Sequence, residues 1–269
     1  YSSLIDHKVD LSDKDDLLNA VTKINPNNIC HLAIYGGYPS QNEDEKILKT
    51  NLNGTINLLS ALEGIDYDCF INTGSSSEYG KKEFIMKETD ICEPNTVYGI
   101  AKLSSTLYCN HISAKENKNI GTIRLFSVYG DYEEKGRLIP TLFINLLNGE
   151  NVKLGNPAAV RDFVYIDDVV EAYISILKTP EKIKGKIFNI SSGNQISIGE
   201  ISEKVKSILN SSCFLDFGNL SGRTFDSTTW LGDSSLFRET FNWTPKKIDE
   251  GLKKSAEWFS KNLNLYKEV

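Results

Sequence analysis

Residues 69–80 read Cys69-Phe70-Ile71-Asn72-Thr73-Gly74-Ser75-Ser76-Ser77-Glu78-Tyr79-Gly80. An apolar run too short for a helix stops at a glycine and passes into a hydroxyl-rich turn, which predicts a buried strand ending in a polar loop. Upstream, Ile29 to Ile34 is a second short run, closed by Gly36 and Gly37. Between the two strands, Leu48, Leu52, Ile56, Leu59 and Leu62 recur at helical spacing over residues 42–63, with Gly64 as the stop. Downstream, residues 95–117 predict a long helix, 121–126 a third strand and 186–191 a later one. Strand–helix–strand connections of this length call for a parallel sheet covered on both faces. The expected fold class is therefore α/β, a doubly wound parallel sheet.

After residue 130 the rhythm loosens. Short helices expected over 138–147, 198–209 and 249–263 alternate with charged, glycine-containing loops. This predicts two interleaved parts: residues 1–130 with the later strand 186–191, and a smaller lobe made mainly of residues 131–269. With 269 residues, 40% hydrophobic and 25% charged, the chain is long enough for a substantial core and is not a disordered or fibrous sequence. A net charge of −6 provides no basic field for nucleic acid or an anionic membrane. No run of eighteen apolar residues spans a bilayer, and the start lacks the pattern of a secretory signal, so the expected compartment is the cytoplasm. The five cysteines are odd in number and form no C-x-x-C, and the three histidines are scattered, which argues against a disulfide framework or a metal centre.

One absence matters. Among the 19 glycines no two are separated by two or three positions, so neither G-x-G-x-x-G nor a G-x-x-G variant occurs. The chain also opens on Tyr1, inside what reads as an element approaching Asp10. Either it binds no dinucleotide, or a βαβ unit of ~30 residues is absent from it.

Tyr98-Gly-Ile-Ala-Lys102 places a phenol and an ammonium at i, i+4, on one helix face. The ammonium favours the phenolate, making the tyrosine usable as a general acid/base. With 12 Tyr and 25 Lys, chance supplies about one such pair, so the pair by itself also reads as an exposed Lys beside a half-buried Tyr. Ser75 adds weight. It closes a parallel strand, where open α/β sheets place ligand groups, and Pro94 breaks the chain before the Tyr98 helix. Serine, tyrosine and lysine can then converge on one carbinol or carbonyl.

Taken in order, the motifs resemble the extended short-chain dehydrogenase/reductase family, in its nucleotide-sugar epimerase, dehydratase and reductase branch. They are Asp10-Leu11, His31-Leu32-Ala33, Asn51-x-x-Gly54-Thr55, Ser75-x-x-x-Tyr79-Gly80, Tyr98-x-x-x-Lys102, Arg124-x-x-x-Val128-Tyr129-Gly130, the run from Arg161 to Asp168, Arg223-x-x-Asp226 and Trp243-Thr-Pro245. The resemblance implies a Rossmann-like sheet whose first βαβ unit lies outside this chain, and the cofactor NAD or NADP. By the same resemblance, Asp10 and Leu11 flank the adenine, Leu32 and Ala33 lie under the cofactor, and Asn51 contacts it or the neighbouring strand from a helix. Tyr98 becomes the acid/base, Lys102 the partner of the nicotinamide ribose and of Tyr98, and Ser75 the donor to the reacting oxygen. Arg161 and Arg223, with Arg137, suit the substrate diphosphate. Ser76, Ser77 and Ser127 complete the substrate contacts.

Departures from the family pattern narrow the reaction. Dehydratases of this branch place Asp and Glu where Ser76 and Ser77 stand, and these hydroxyls have no acid/base capacity near neutrality. Glu78 is one place off and is expected to point elsewhere. The expected partner is a nucleotide-diphosphate sugar, and the expected reaction is C4 epimerisation through a 4-keto sugar. Reduction of a 4-keto sugar is kept beside it, because Phe214 to Gly218 followed by Arg223 resembles CDP-3,6-dideoxyhexose reductases such as CDP-abequose synthase. A non-catalytic binding module is the reading from another class. Family resemblance also implies a homodimer, with the helices bearing Leu48–Leu62 and Thr106–Ile112 paired as a four-helix bundle.

Overall fold

The computed structural model describes residues 4–38, 40–218 and 228–266. Chain contacts divide them into two compact units, Tyr1–Gly80 with Asp90–Arg124 and Tyr173–Phe188, and Lys81–Thr89 with Leu125–Ala172 and Asn189–Val269.

In the first unit, helix α1 (Lys14–Ile24) is capped by the Asp13 carboxylate, which accepts the Asp16 N–H. Strand β1 (Asn28–His31) pairs in parallel with β2 (Cys69–Ser75), Ile29 opposite Phe70. Helix α4 (Val97–Glu116) connects β2 to β3 (Ile120–Leu125), and the sheet continues to β7 (Ile187–Ile190) in the order β1-β2-β3-β7. Alternation along β2 sends its side chains to opposite faces. Phe70 joins Leu59, Leu62, Cys109 and Ile112 in a helix-covered core, whereas Thr73 on the other face meets Tyr173 of α6 (Ile166–Lys178) at 2.5 Å between hydroxyls.

The helix expected over 42–63 forms, but not uniformly. It is α2 (Asp44–Leu48), a π-turn (Lys49–Asn53) and α3 (Gly54–Ala61). The extra residue of a π-turn rotates the face that follows it. Ile47, Asn51 and Thr55 are buried, while Leu48 is 37% exposed and Leu52 and Ile56 are half-buried. The apolar stripe read from spacing is thus offset from the buried face at its N-terminal end.

The second unit contains a sheet in the order β4-β6-β8, from Ser127–Tyr129, Val160–Tyr165 and Gln195–Ser197, and a parallel pair of β5 (Val152–Leu154) with β9 (Leu215–Phe217). Helices α5 (Leu138–Leu147), α7 (Ile198–Ile208) and α9 (Ile248–Asn262) close its core, where Phe143 stacks on Phe259 at 5.0 Å. The motif Trp243-Thr-Pro245 follows α8 (Ser235–Phe241). Its indole N–H donates to the Asp168 carbonyl, and Lys246 binds the buried Asp168 carboxylate at 2.6 Å. Lys81–Thr89 belongs to this unit because Met86 bridges Gly232 and the Asn189 amide donates to the Met86 and Asp233 carbonyls. No helix among the described residues is long and apolar enough to cross a membrane.

Asp162, third in β6, is the polar knot of this unit. Oδ1 accepts from the Ser192 N–H and hydroxyl at 2.8 and 2.6 Å, and Oδ2 from the Gly193 and Gly232 N–H groups at 3.2 Å each. Burial still pushes its carboxyl up to about 6. Replacing Asp162 with Ala strands these donors in the interior, and urea unfolding at neutral pH should show a loss of about 2–4 kcal/mol.

Candidate active site

Ser75 ends β2 in extended conformation and caps the short 3-10 turn Ser76–Tyr79. Its Oγ accepts the Ser77 N–H at 3.1 Å, and the Glu78 carboxylate accepts the Ser75 N–H at 2.9 Å. This reciprocal capping box fixes the turn. With a lone pair of Oγ already engaged, the Ser75 hydroxyl proton is what remains to be donated to a bound oxygen. Ser76 is buried and Ser77 half-buried.

Helix α4 begins where Thr96 Oγ1 accepts the Gly99 N–H at 3.0 Å. Its first turn carries Tyr98, which is half-buried. A Cβ at Gly99 would lie 2.5 Å from the Ser77 carbonyl oxygen, so this turn rests against the backbone that follows Ser75. One turn on, Lys102 is 4% exposed and donates to the Thr73 carbonyl at 2.9 Å. Burial draws its ammonium down to about 8, and the negative charge of Glu78 opposes that fall. The helix turn that carries Tyr98 and the Lys102 ammonium therefore both lie against the C-terminal end of β2 and the turn that follows Ser75.

Another turn along α4, Ser105 donates to the Asn51 carbonyl at 2.6 Å. Asn51 sits in the π-turn and is 1% exposed, its amide donating to the Tyr35 and Ile47 carbonyls at 2.6 and 2.8 Å. The π-turn and the strand-end loop are thus tied to the same helix that bears Tyr98. The Thr55 hydroxyl also donates to the Asn51 carbonyl, at 2.7 Å. Its single proton being used there, Thr55 accepts from His31 Nε2 at 2.9 Å. Burial first, then the Lys102 charge, lowers His31 to about 4, so it is neutral at physiological pH.

Asp10, Leu11 and Ala33 line one cavity of about 730 Å³ with Ile34, Lys46 and Lys49. Asp10 accepts the Ser12 N–H at 2.8 Å. Leu32, just past β1, is 57% exposed. In the second unit, Ser127 opens β4, half-buried. Arg161 on β6 places its guanidinium 5.7 Å from the Trp230 ring centroid and donates to the Val160 carbonyl. Arg137 is exposed ahead of α5. Arg223 lies outside the described residues.

Glu78 turns away from the Ser75 hydroxyl and into the sheet, where Arg124 Nε donates to it at 2.8 Å. In the sequence Arg124 stands only as one letter of a motif, and Tyr173 carries no signal. A lone arginine in the otherwise uncharged strand 120–125 was the available signal for the first, since a buried guanidinium needs an anion.

Residues 3–191 match the NAD dependent epimerase/dehydratase family. This chain belongs to that family. A curated relative, the UDP-glucuronate 4-epimerase of Thermodesulfobacterium geofontis, is 26% identical over 246 residues, covering 90% of this chain and 75% of that protein. The CDP-abequose synthase of Salmonella muenchen is 30% identical over 133 residues, 49% of this chain. Among solved structures, the UDP-glucuronic acid 4-epimerase of Bacillus cereus, in complex with UDP-glucuronic acid and NAD, aligns with a TM-score of 0.84 at 26% identity. That alignment covers 94% of this chain and 80% of the other. The chain is an extended short-chain dehydrogenase/reductase with the Rossmann-type α/β sheet expected from its motifs.

His31 makes the fold acid-sensitive in a definite direction. Its folded value near 4 lies below the ordinary 6.5, so between these values the unfolded chain takes up a proton that the folded chain refuses. Stability should fall as pH drops from about 6.5 to about 4, by at most about 3 kcal/mol from this group. Urea unfolding across that range should show a flatter pH dependence for His31→Gln than for the parent.

Proposed function

We propose that this chain is an NAD(P)-dependent enzyme acting on a nucleotide-diphosphate sugar, as a C4 epimerase of an NDP-hexose that works through a transient 4-keto sugar. The observation that carries the reading is the seating of the first turn of α4 on the Ser77 carbonyl, with Lys102 reaching the Thr73 carbonyl. This supports a site in which the helix turn bearing Tyr98 and the Lys102 ammonium lie at the strand end that carries Ser75.

The cavity beside Asp10 fits an adenosine moiety of the cofactor. Its volume falls in the range of small-molecule sites, with Leu11, Ala33 and Ile34 as apolar walls and the Asp10 carboxylate as acceptor. Lys102 would serve the ribose end, and Asn51 braces the helix between. NAD, when bound, supplies a reversible two-electron acceptor for the sugar carbon. The rest falls to the protein. Tyr98 as phenolate takes the proton of the C4 hydroxyl, and returns it when the carbonyl is reduced from the opposite face. The Lys102 ammonium favours that phenolate. Ser75 donates its hydroxyl proton to the same oxygen as it becomes a carbonyl.

On the substrate side, Arg161, Arg137 and Arg223 are assigned to the diphosphate, and Ser76, Ser77 and Ser127 to polar contacts with the sugar nucleotide. A 4,6-dehydration is disfavoured because Ser76 and Ser77 supply neither acid nor base, and Glu78 is engaged by Arg124 and the Ser75 amide. Reduction of a 4-keto-6-deoxy sugar by NADPH is the second reading, supported by the 30% identity to the CDP-abequose synthase. Exposed Leu48, Ile100 and Leu107, on α2 and α4, support a homodimer through a four-helix bundle.

Tyr98→Phe should lower turnover about 10²–10⁴-fold while leaving the melting temperature unchanged. The assay is product separation from a panel of nucleotide sugars, with and without added NADPH. Epimer formation without added cofactor supports the first reading, and NADPH-dependent consumption of a 4-keto sugar supports the second. Undiminished turnover by Tyr98→Phe would remove the phenol from the mechanism, whereas absence of turnover by the parent on the whole panel would favour a binding module.

A further inference from the structure

The turn after β2 contains a buried ion pair to which the mechanism assigns no task. Glu78 and Arg124 have side-chain exposures of 0% and 2%, with 2.8 Å between Oε2 and Nε. Desolvation offsets most of the attraction in such a pair, so net stabilisation is a weak reason for its presence. Its surroundings suggest another. The second carboxylate oxygen, Oε1, is the acceptor for the Ser75 N–H. The chain makes room for it at Gly74, where a Cβ would come within 2.5 Å of that oxygen. The Arg124 guanidinium lies 4.6 Å from the centroid of the Tyr79 ring, and Tyr79 closes the turn. Within the same turn, the Ser77 carbonyl is the one on which the first turn of α4 sits.

We propose that Glu78, held by Arg124, is a positioning residue for the Ser75–Tyr98–Lys102 site: it locks the Ser75 backbone from inside the sheet and supplies the buried negative charge that faces Lys102. The proposal rests on the functional reading above and deepens it. Two consequences belong to the same carboxylate. One is geometric, because the Ser75 amide and the Ser77 carbonyl are parts of one turn, and that turn sets where the serine hydroxyl lies relative to the helix bearing Tyr98. The other is electrostatic. The groups that act on Lys102 or are acted on by it are Glu78 from the turn, Cys109 from α4 and His31 from β1, with Tyr98 one turn away and Arg124 paired to Glu78 from β3. His31 is neutral, and burial pushes the Cys109 thiol up to about 12, so near neutrality Glu78 is the group that opposes loss of the Lys102 proton.

The test compares the full-length, cofactor-loaded protein with two variants. Glu78→Gln keeps an acceptor for the Ser75 amide and removes the charge. The double variant Glu78→Gln/Arg124→Met also removes the stranded guanidinium, and decides the matter where the single variant fails to fold. The expected result is a kcat reduced about 10–100-fold with KM changed less than about threefold, the signature of misplacement rather than lost binding. Alongside it, the Lys102 titration should move down by about one pH unit, taking the alkaline limb of the rate profile with it. That titration is read by NMR on ¹³Cε-lysine protein, assigned with Lys102→Arg. A folded double variant with parental kcat and an unmoved Lys102 titration would overturn the proposal. Absence of turnover by the parent on every nucleotide sugar would instead fail the functional reading, and the NMR titration would still decide what Glu78 does to Lys102.

Discussion

A helix turn resting directly on backbone organises the candidate site. Because residue 99 is glycine, the start of α4 can approach the Ser77 carbonyl more closely than any side chain would permit. The helix is rigid along its length, so this one close approach indexes everything it carries: Tyr98 beside the turn, Lys102 over the Thr73 carbonyl, Ser105 on the Asn51 carbonyl. Helical spacing of three to four residues then turns one contact into three aligned polar anchors.

Those anchors are unusual for what they replace. The face of α4 that covers a parallel sheet would ordinarily be apolar, yet Lys102, Ser105, Thr106 and Ser113 are buried along it. Each buried polar group must find a partner or destabilise the fold. Lys102, Ser105 and Ser113 take backbone carbonyls, of Thr73, of Asn51 and of Lys118, respectively. Partners drawn from the main chain fix position more tightly than apolar packing does, because hydrogen bonds are directional and packing is not.

Much of this was legible before any coordinates. The short apolar runs read at 29–34, 69–74 and 121–126 became β1, which stops at His31, β2 and β3, and the helix read at 138–147 is α5, Leu138–Leu147. Strand spacing and helix punctuation are local, so composition and period reveal them. The π-turn was not legible, since Leu48, Leu52, Ile56, Leu59 and Leu62 satisfy an unbroken helical period. What breaks it is Asn51, whose amide takes the carbonyls of Ile47 and Tyr35, the second of these contributed by a loop. The short strands of the second unit, such as β5 and β9, were also unread, because three residues carry no period.

The ordered motifs by themselves determined the family, the α/β class and which side chains could do chemistry, because residue type fixes donor and acceptor capacity. Only the tertiary structure decided how these groups are held. That Glu78 faces Arg124 rather than the Ser75 hydroxyl, that Lys102 is buried, and that His31 is neutral all depend on distances between segments remote in the chain. Desolvation and Coulomb energies are functions of such distances and of the medium between charges, and neither quantity is written in the order of residues.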